Sequence, residues 1–195
     1  AIVKGKSPAY EEAISFVKDN LPPEVPQLLK DEYLDDDDPI LRNRIIEVLK
    51  LYPSESIADI WTEILSKTND SKIELALLDY LYSQKIFAMA IADKLISPSG
   101  DVRQRAAFLL KKEGSDRILP KMLALSKSKN PVERIYLLEA LNYLYDIRFQ
   151  KLVISFLTDE NKSVRIYAIK CIRENEIKEA INQIRQSVKS DENTE

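Results

Sequence analysis

The sequence predicts an all-α protein, an α-solenoid of about six stacked helical hairpins, and three observations favour this fold. Apolar residues recur at spacings of four and eight, which place them on one face of a helix. Helix-start patterns recur about every 31 residues, a period typical of stacked hairpins. The 195 residues include only 3 glycines, too few for the tight turns of a β-sandwich or barrel.

The clearest helix starts pair a capping residue with a proline, at Ser7-Pro8, Asp38-Pro39 and Asn130-Pro131. The cap side chain can accept a hydrogen bond from the first turn, and proline suits the first helical position because an amide hydrogen there has no partner. The first two prolines are 31 residues apart (39 − 8) and the last two are 92 apart (131 − 39), close to three periods. One repeating unit therefore runs along the chain.

The second helix of each predicted hairpin, here called the B helix, opens with a recurring residue pair. These pairs are Leu41-Arg42, Ile73-Glu74, Val102-Arg103, Glu133-Arg134 and Val164-Arg165, and a weaker copy of the helix begins at Ala9. Positions four and eight residues after the first member of each pair lie on one helix face and are predicted to be core. The first set is Ile45, Leu77, Ala106, Leu137 and Ala168, and the second is Leu49, Leu81, Leu110, Leu141 and Ile172.

The first helix of each hairpin, the A helix, is predicted from a separate apolar stripe. The A helices are expected at 24–34, 56–66, 86–96, 116–127, 147–157 and 176–189. A lone hairpin cannot bury its apolar face, whereas stacked neighbours can. The sequence therefore predicts one solenoid domain over residues 1–190 and a polar tail at 191–195 that frays.

Residues 157–168, which read Leu-Thr-Asp-Glu-Asn-Lys-Ser-Val-Arg-Ile-Tyr-Ala, resemble the short HEAT repeats. Residues 100–106 are similar, and Pro120 matches the proline that the family has in its A helix. The resemblance covers essentially the whole chain and is strongest in the last three units, while Glu74 stands where the family has Arg. It implies a right-handed superhelical α-solenoid that acts as a binding scaffold, and it implies no chemistry.

Composition excludes several classes of active site. The chain has no histidine, which excludes His-ligated zinc, His-based triads and histidine proton shuttles. Its single cysteine, Cys171, cannot form an internal disulfide, and we expect an inert buried thiol. We identify no catalytic, metal-binding or cofactor-binding residues, and we predict that the protein is not an enzyme.

Two further features have structural interpretations. The run Asp35–Asp38 could offer oxygen ligands to calcium, but it lacks the spaced loop that wraps one ion, so we favour a solvated acidic turn. Trp61 has apolar neighbours along its helix and is predicted to pack between helices.

The arginines that open four B helices are Arg42, Arg103, Arg134 and Arg165. They could bind phosphates or acidic peptides. The alternative is a structural ladder, in which each arginine pairs with a carboxylate of a neighbouring turn, such as Asp38 or Asp159. In HEAT-like repeats this column is usually structural, and we favour that interpretation.

Apolar residues also occur on the B helices outside the core columns, and they are the candidate partner-binding residues. They are Leu75, Phe108, Ile135, Tyr136, Ile166 and Tyr167. Tyrosine and isoleucine are common interface anchors, and B helices line the inner surface of a solenoid, so a ridge for a partner is one interpretation. The alternative is that neighbouring helices cover these side chains.

The sequence favours a non-catalytic scaffold that binds a partner protein or peptide on its B helices. One alternative is a HEAT-like nucleic-acid-binding or base-excision enzyme, which the net charge of −3 disfavours although residues 100–195 are locally positive. Another is a spacer segment of a larger solenoid, since the first helix, at 8–19, occupies a B position without an A partner. Because the first residue is not Met, we expect a piece of a longer protein or a processed chain. No membrane span is expected, and the compartment is predicted to be the cytoplasm or, after signal removal, an exported location.

Overall fold

The computed structural model describes residues 8–85, 88–113, 118–144, 146–180 and 184, and side chains are described from residue 12 onward except at 88, 112 and 113. Over these ranges the chain forms helices, turns and loops and contains no strand. The all-α prediction is therefore confirmed. The tail at 191–195 lies outside the described residues.

The chain divides into two compact units, Ala1–Phe87 and Ala88–Glu195. The helices of the first unit are α1 (Pro8–Asn20), α2 (Val25–Asp35), α3 (Pro39–Leu49), α4 (Ala58–Lys67) and α5 (Ser71–Ser83), with a 3₁₀ helix at Ser54–Ile57. Helix α2 packs against both α3 and α4. The organisation of residues 1–190 as one solenoid domain stays a prediction.

In each hairpin of the second unit, the A helix is shorter than the B helix. The α-helices of this unit are α6 (Ala88–Asp93), α7 (Gly100–Glu113), α8 (Leu119–Leu125), α9 (Pro131–Leu144), α10 (Gln150–Ser155) and α11 (Lys162–Glu174). Within the described residues of this unit, four 3₁₀ helices accompany them, at Lys94–Ile96, Ile147–Phe149, Phe156–Thr158 and Lys178–Ala180. The A helices predicted at 86–96 and 147–157 therefore exist largely as α and 3₁₀ segments in succession. Both end in a 3₁₀ turn, and the second also begins with one.

The predicted helix starts are capped as the sequence indicates. Asp38 Oδ1 accepts a hydrogen bond from the Ile40 amide at 2.9 Å, and Asn130 Oδ1 accepts one from the Val132 amide at 3.0 Å. Asn161 caps α11 in the same manner, through the Ser163 amide at 2.9 Å. Ser7 lies outside the described residues. These side chains fix where α3, α9 and α11 begin, and so they fix which residues face the core.

Both core columns of the B helices are buried, as predicted. No side chain in either column is more than 3% exposed, from Ile45 in the first unit to Ile172 in the second. Trp61 is fully buried, and its ring lies 5.2 Å from that of Tyr80 between centroids. The prediction that Trp61 packs between helices is confirmed.

Three helices of the second unit lie side by side, and we call them the B row: α7, α9 and α11. Helix α9 packs against both others, while α6 packs on α7, α8 on α9 and α10 on α11. The Cys171 thiol donates to the Leu138 carbonyl at 3.4 Å, and Asn142 Nδ2 donates to Glu174 Oε2 at 2.7 Å. The offsets at these two points, 33 and 32 residues, are nearly equal, which shows that α9 and α11 run parallel.

Candidate functional site

The arginines of the B row bind the turn that precedes their own helix. Arg103, Arg134 and Arg165 each donate from Nη1 to the carbonyl six residues earlier, at 2.7, 2.6 and 2.8 Å. Carbonyls near the end of a helical segment lack a partner within the helix, and the guanidinium supplies one. The three arginines therefore fasten each B helix to the turn from its A helix.

Arg134 also joins its own helical hairpin to the next hairpin of the second unit. Its Nε and Nη2 donate to the two carboxylate oxygens of Asp159, both at 2.8 Å. The Arg134 and Asp159 side chains are only 5% and 10% exposed. Hydrogen bonding to Asp159 raises the pKa of Arg134, so the guanidinium stays charged. The predicted pairing with Asp159 is present, and it supports the structural interpretation for this arginine.

Arg103 binds a different kind of carboxylate. Its Nη2 donates to Glu139 Oε2 at 2.6 Å, on the neighbouring helix α9 rather than in a turn. The same guanidinium lies over the Tyr136 ring, 4.1 Å from the centroid. Arg103 thus holds α7 against α9 and supports one face of a candidate partner-binding residue.

The predicted pairing of an arginine with Asp38 is wrong for Arg42. Arg42 Nη2 lies 2.8 Å from Asp37 Oδ1, and its Nε donates to the Tyr33 carbonyl at 3.1 Å. The Asp38 carboxylate caps α3 and is therefore turned toward the Ile40 amide. Arg42, Arg103 and Arg134 all direct donors to partners within the protein, which disfavours a phosphate-binding ladder.

The structure places five of the six candidate partner-binding residues on the B row. We call them the docking face: Phe108 on α7, Ile135 and Tyr136 on α9, and Ile166 and Tyr167 on α11. Phe108, Ile166 and Tyr167 are 48%, 52% and 38% exposed, and Ile135 and Tyr136 are half-buried. The sixth candidate, Leu75, is half-buried on α5 of the first unit.

Two residues of the same helix face are missing from the sequence prediction. Val132 and Tyr143, both on α9, are exposed large side chains. They lie four residues before and seven after Tyr136, so they share its helix face. Extending the helical spacing in both directions from Tyr136 would have found them, and the apolar strip on α9 is consequently longer than predicted.

Cations lie over the exposed aromatic rings of the docking face. The Arg105 guanidinium carbon is 5.3 Å from the Phe108 ring centroid, and Lys170 Nζ is 5.8 Å from that of Tyr167. Each pair lies on one helix at a separation of three residues. Aromatic rings with adjacent cations favour partners that carry both apolar and anionic groups.

A separate cavity of about 300 Å³ lies in the second unit, near the start of α10. It is lined by Leu141, Asp146, Ile147, Phe149, Gln150, Val153, Asn175 and Ile177. The Asp146 carboxylate accepts from the Arg148 amide and guanidinium. The cavity therefore has a largely apolar lining and one carboxylate, which is hydrogen-bonded to Arg148. None of its lining side chains is an evident nucleophile.

The chemically reactive groups that the sequence contains are held in structural roles. Burial raises the pKa of the Cys171 thiol to about 12, so the thiolate is not formed at neutral pH. In the acidic run, Asp36 accepts from the Asp38 amide and Asp37 pairs with Arg42. Among the described residues, no three Cys, Asp or Glu side chains are grouped closely enough to hold a metal ion.

Within the ranges that the structure covers, no helix combines the length and apolar character of a membrane-crossing helix.

No family model, no curated protein and no solved structure matches this chain. The resemblance to HEAT repeats accordingly rests on the residues quoted for it and stays a prediction.

Proposed function

We propose that this protein is a non-catalytic interaction module that binds a segment of a partner protein on the docking face. The observation that carries the proposal is the solvent exposure of Phe108, Ile166 and Tyr167 on a row of packed helices. Exposed apolar side chains grouped in this way are typical of interaction sites, and tyrosine is enriched at such sites.

The framework beneath the docking face supports binding without large ordering costs. Arg103 and Arg134 tie adjacent units of the B row together through Glu139 and Asp159. Side chains on helices held in this way are already positioned before a partner arrives. Binding then costs less conformational entropy than it would on a flexible loop.

We further propose that the hairpins stack as a HEAT-like solenoid. The turn contact made by Arg103, Arg134 and Arg165 repeats at intervals of 31 residues with the same geometry, which supports a translational repeat. Solution X-ray scattering tests this arrangement. A solenoid predicts a radius of gyration clearly above the value of about 16 Å for a compact domain of this length, and a value near 16 Å would contradict stacking in a row.

The proposed function is tested by selecting peptides from a displayed random library on the immobilised protein. We expect enriched peptides whose affinity falls at least about tenfold in the variant Tyr136→Ala/Tyr167→Ala, because tyrosines that become buried when a partner binds are frequent hot spots. The matched control is Leu123→Ala/Ile147→Ala, which removes two exposed apolar side chains of the same unit from outside the docking face. The control should bind like the unaltered protein.

Two outcomes would overturn the proposal. One is that the unaltered protein enriches no peptide family. The other is that the tyrosine variant loses most of its stability in far-UV circular dichroism, which would make both rings part of the core. A melting temperature close to that of the control variant is the expected result.

A further inference from the structure

We propose that the segment bound by the docking face is an acidic peptide with an apolar anchor. This inference rests on the proposed function and adds the chemistry of the partner. Its basis is the arrangement of charge on the three helices of the B row.

Cations lie on the two outer helices of the row. Arg105 and Lys111 belong to α7, and Lys170 and Arg173 belong to α11. By helical spacing, the α7 pair lies three residues on either side of Phe108. On α11, Lys170 follows Tyr167 by three residues, and Arg173 follows Ile166 by seven, which is two helical turns. The docking face is therefore bordered on both sides by positive side chains.

The middle helix supplies an apolar strip. Val132, Ile135, Tyr136 and Tyr143 share one face of α9, and none of them is buried. Because α9 packs between α7 and α11, this strip lies between the two cationic borders. An apolar side chain of the partner peptide would lose its contact with water by packing on this strip. Acidic residues next to it in the peptide would contact the cations on α7 and α11.

Two carboxylates near this face, those of Glu139 and Glu174, are engaged by the protein itself. Glu139 accepts from Arg103, and Glu174 accepts from Asn142 Nδ2 at 2.7 Å. Lys170 Nζ is 4.0 Å from Glu174, at the outer limit of an ion pair, and both side chains are solvent-accessible. Such a contact contributes little, so Lys170 can turn to an acidic partner at small cost. Residues 100–195 as a whole carry 18 Lys and Arg against 14 Asp and Glu.

A peptide fits these features better than a nucleic acid. Nucleic acids are bound through many phosphate contacts along a dense cationic track. Here the cations of the two outer helices are separated by the apolar strip of α9, which offers a phosphate backbone no charged donor along its length. The centre of the face is aliphatic as well as aromatic, which suits a leucine, isoleucine or phenylalanine anchor.

The test repeats the peptide selection on charge variants. Lys170→Glu/Arg173→Glu reverses one cationic border, and Lys151→Glu/Lys178→Glu makes the same change in net charge at exposed positions outside the docking face. We expect the unaltered protein to enrich peptides that combine net negative charge with an apolar residue. A synthetic copy of the strongest should bind the border variant about tenfold more weakly and the control within about twofold.

The outcomes separate this inference from the proposed function. Enrichment of neutral or basic peptides would overturn the acidic preference and leave the interaction function standing. Equal weakening in both charge variants would show a general charge effect and would also overturn it. If no peptide is enriched, the proposed function itself fails. Salt-dependent binding of a short DNA duplex that the border variant abolishes would replace the peptide with a nucleic acid.

Discussion

Replacing Trp61 with alanine is expected to lower the free energy of unfolding by about 4 kcal/mol. The side chain is fully buried and packs against Tyr80, so its loss leaves a cavity as well as lost contacts. The indole Nε1 is buried and has no hydrogen-bond partner in the protein. The expected loss is therefore due to packing rather than to a broken hydrogen bond.

The change is measured by urea denaturation followed by far-UV circular dichroism. Leu28→Ala is the matched control, because this exposed side chain lies in the same unit and should cost less than about 0.5 kcal/mol. Trp61→Phe should lose less than Trp61→Ala, since an aromatic ring still fills part of the site. A cost below about 1 kcal/mol for Trp61→Ala would contradict the central position of this residue.

Arg134→Ala is expected to cost about 3 kcal/mol of stability. The substitution removes both hydrogen bonds to Asp159 and leaves that carboxylate nearly buried without its cation, which is the expensive consequence of breaking a buried ion pair. It also removes the donor to the Ser128 carbonyl. Stability falls because α9 loses its hydrogen bond to the turn that precedes it and its ion pair with the next hairpin.

The control for this prediction is Arg148→Ala. Arg148 binds Asp146 through a similar fork, but its side chain is 43% exposed, and the expected loss is below about 1 kcal/mol. The double variant Arg134→Ala/Asp159→Ala should cost less than the sum of the two single changes, because no charge is left unpaired. Additive losses, or a loss for Arg134→Ala as small as that for Arg148→Ala, would contradict the structural role.

The positions of the helices could largely be predicted from the sequence, and the physical reason is repetition. Each B helix presents core residues at the same spacings, so Ile45, Leu77 and Leu137 support one another's assignment, and all three are buried. The bounds of the A helices are less well predicted. The A helix expected at 116–127 is the shorter α8 (Leu119–Leu125), because weak apolar stripes do not fix where a helix ends.

The partners of the arginines depend on details that a repeat pattern does not contain. Arg134 pairs with Asp159, which lies in the turn of the next hairpin. The equivalent turn for Arg103, at 126–130, has no aspartate. Arg103 consequently binds Glu139 on the next B helix and comes to lie over Tyr136. One face of the Tyr136 ring is therefore covered by a guanidinium, which helical spacing alone could not indicate.

The most direct test of a docking face on the B row is hydroxyl-radical footprinting of the protein with and without a peptide enriched by the selection. We predict that bound peptide lowers oxidation at Phe108, Tyr136, Ile166 and Tyr167. Oxidation should stay unchanged at Leu123 and Ile147, which are exposed elsewhere in the same unit. Protection at Leu123 or Ile147 with none on the B row would contradict the account.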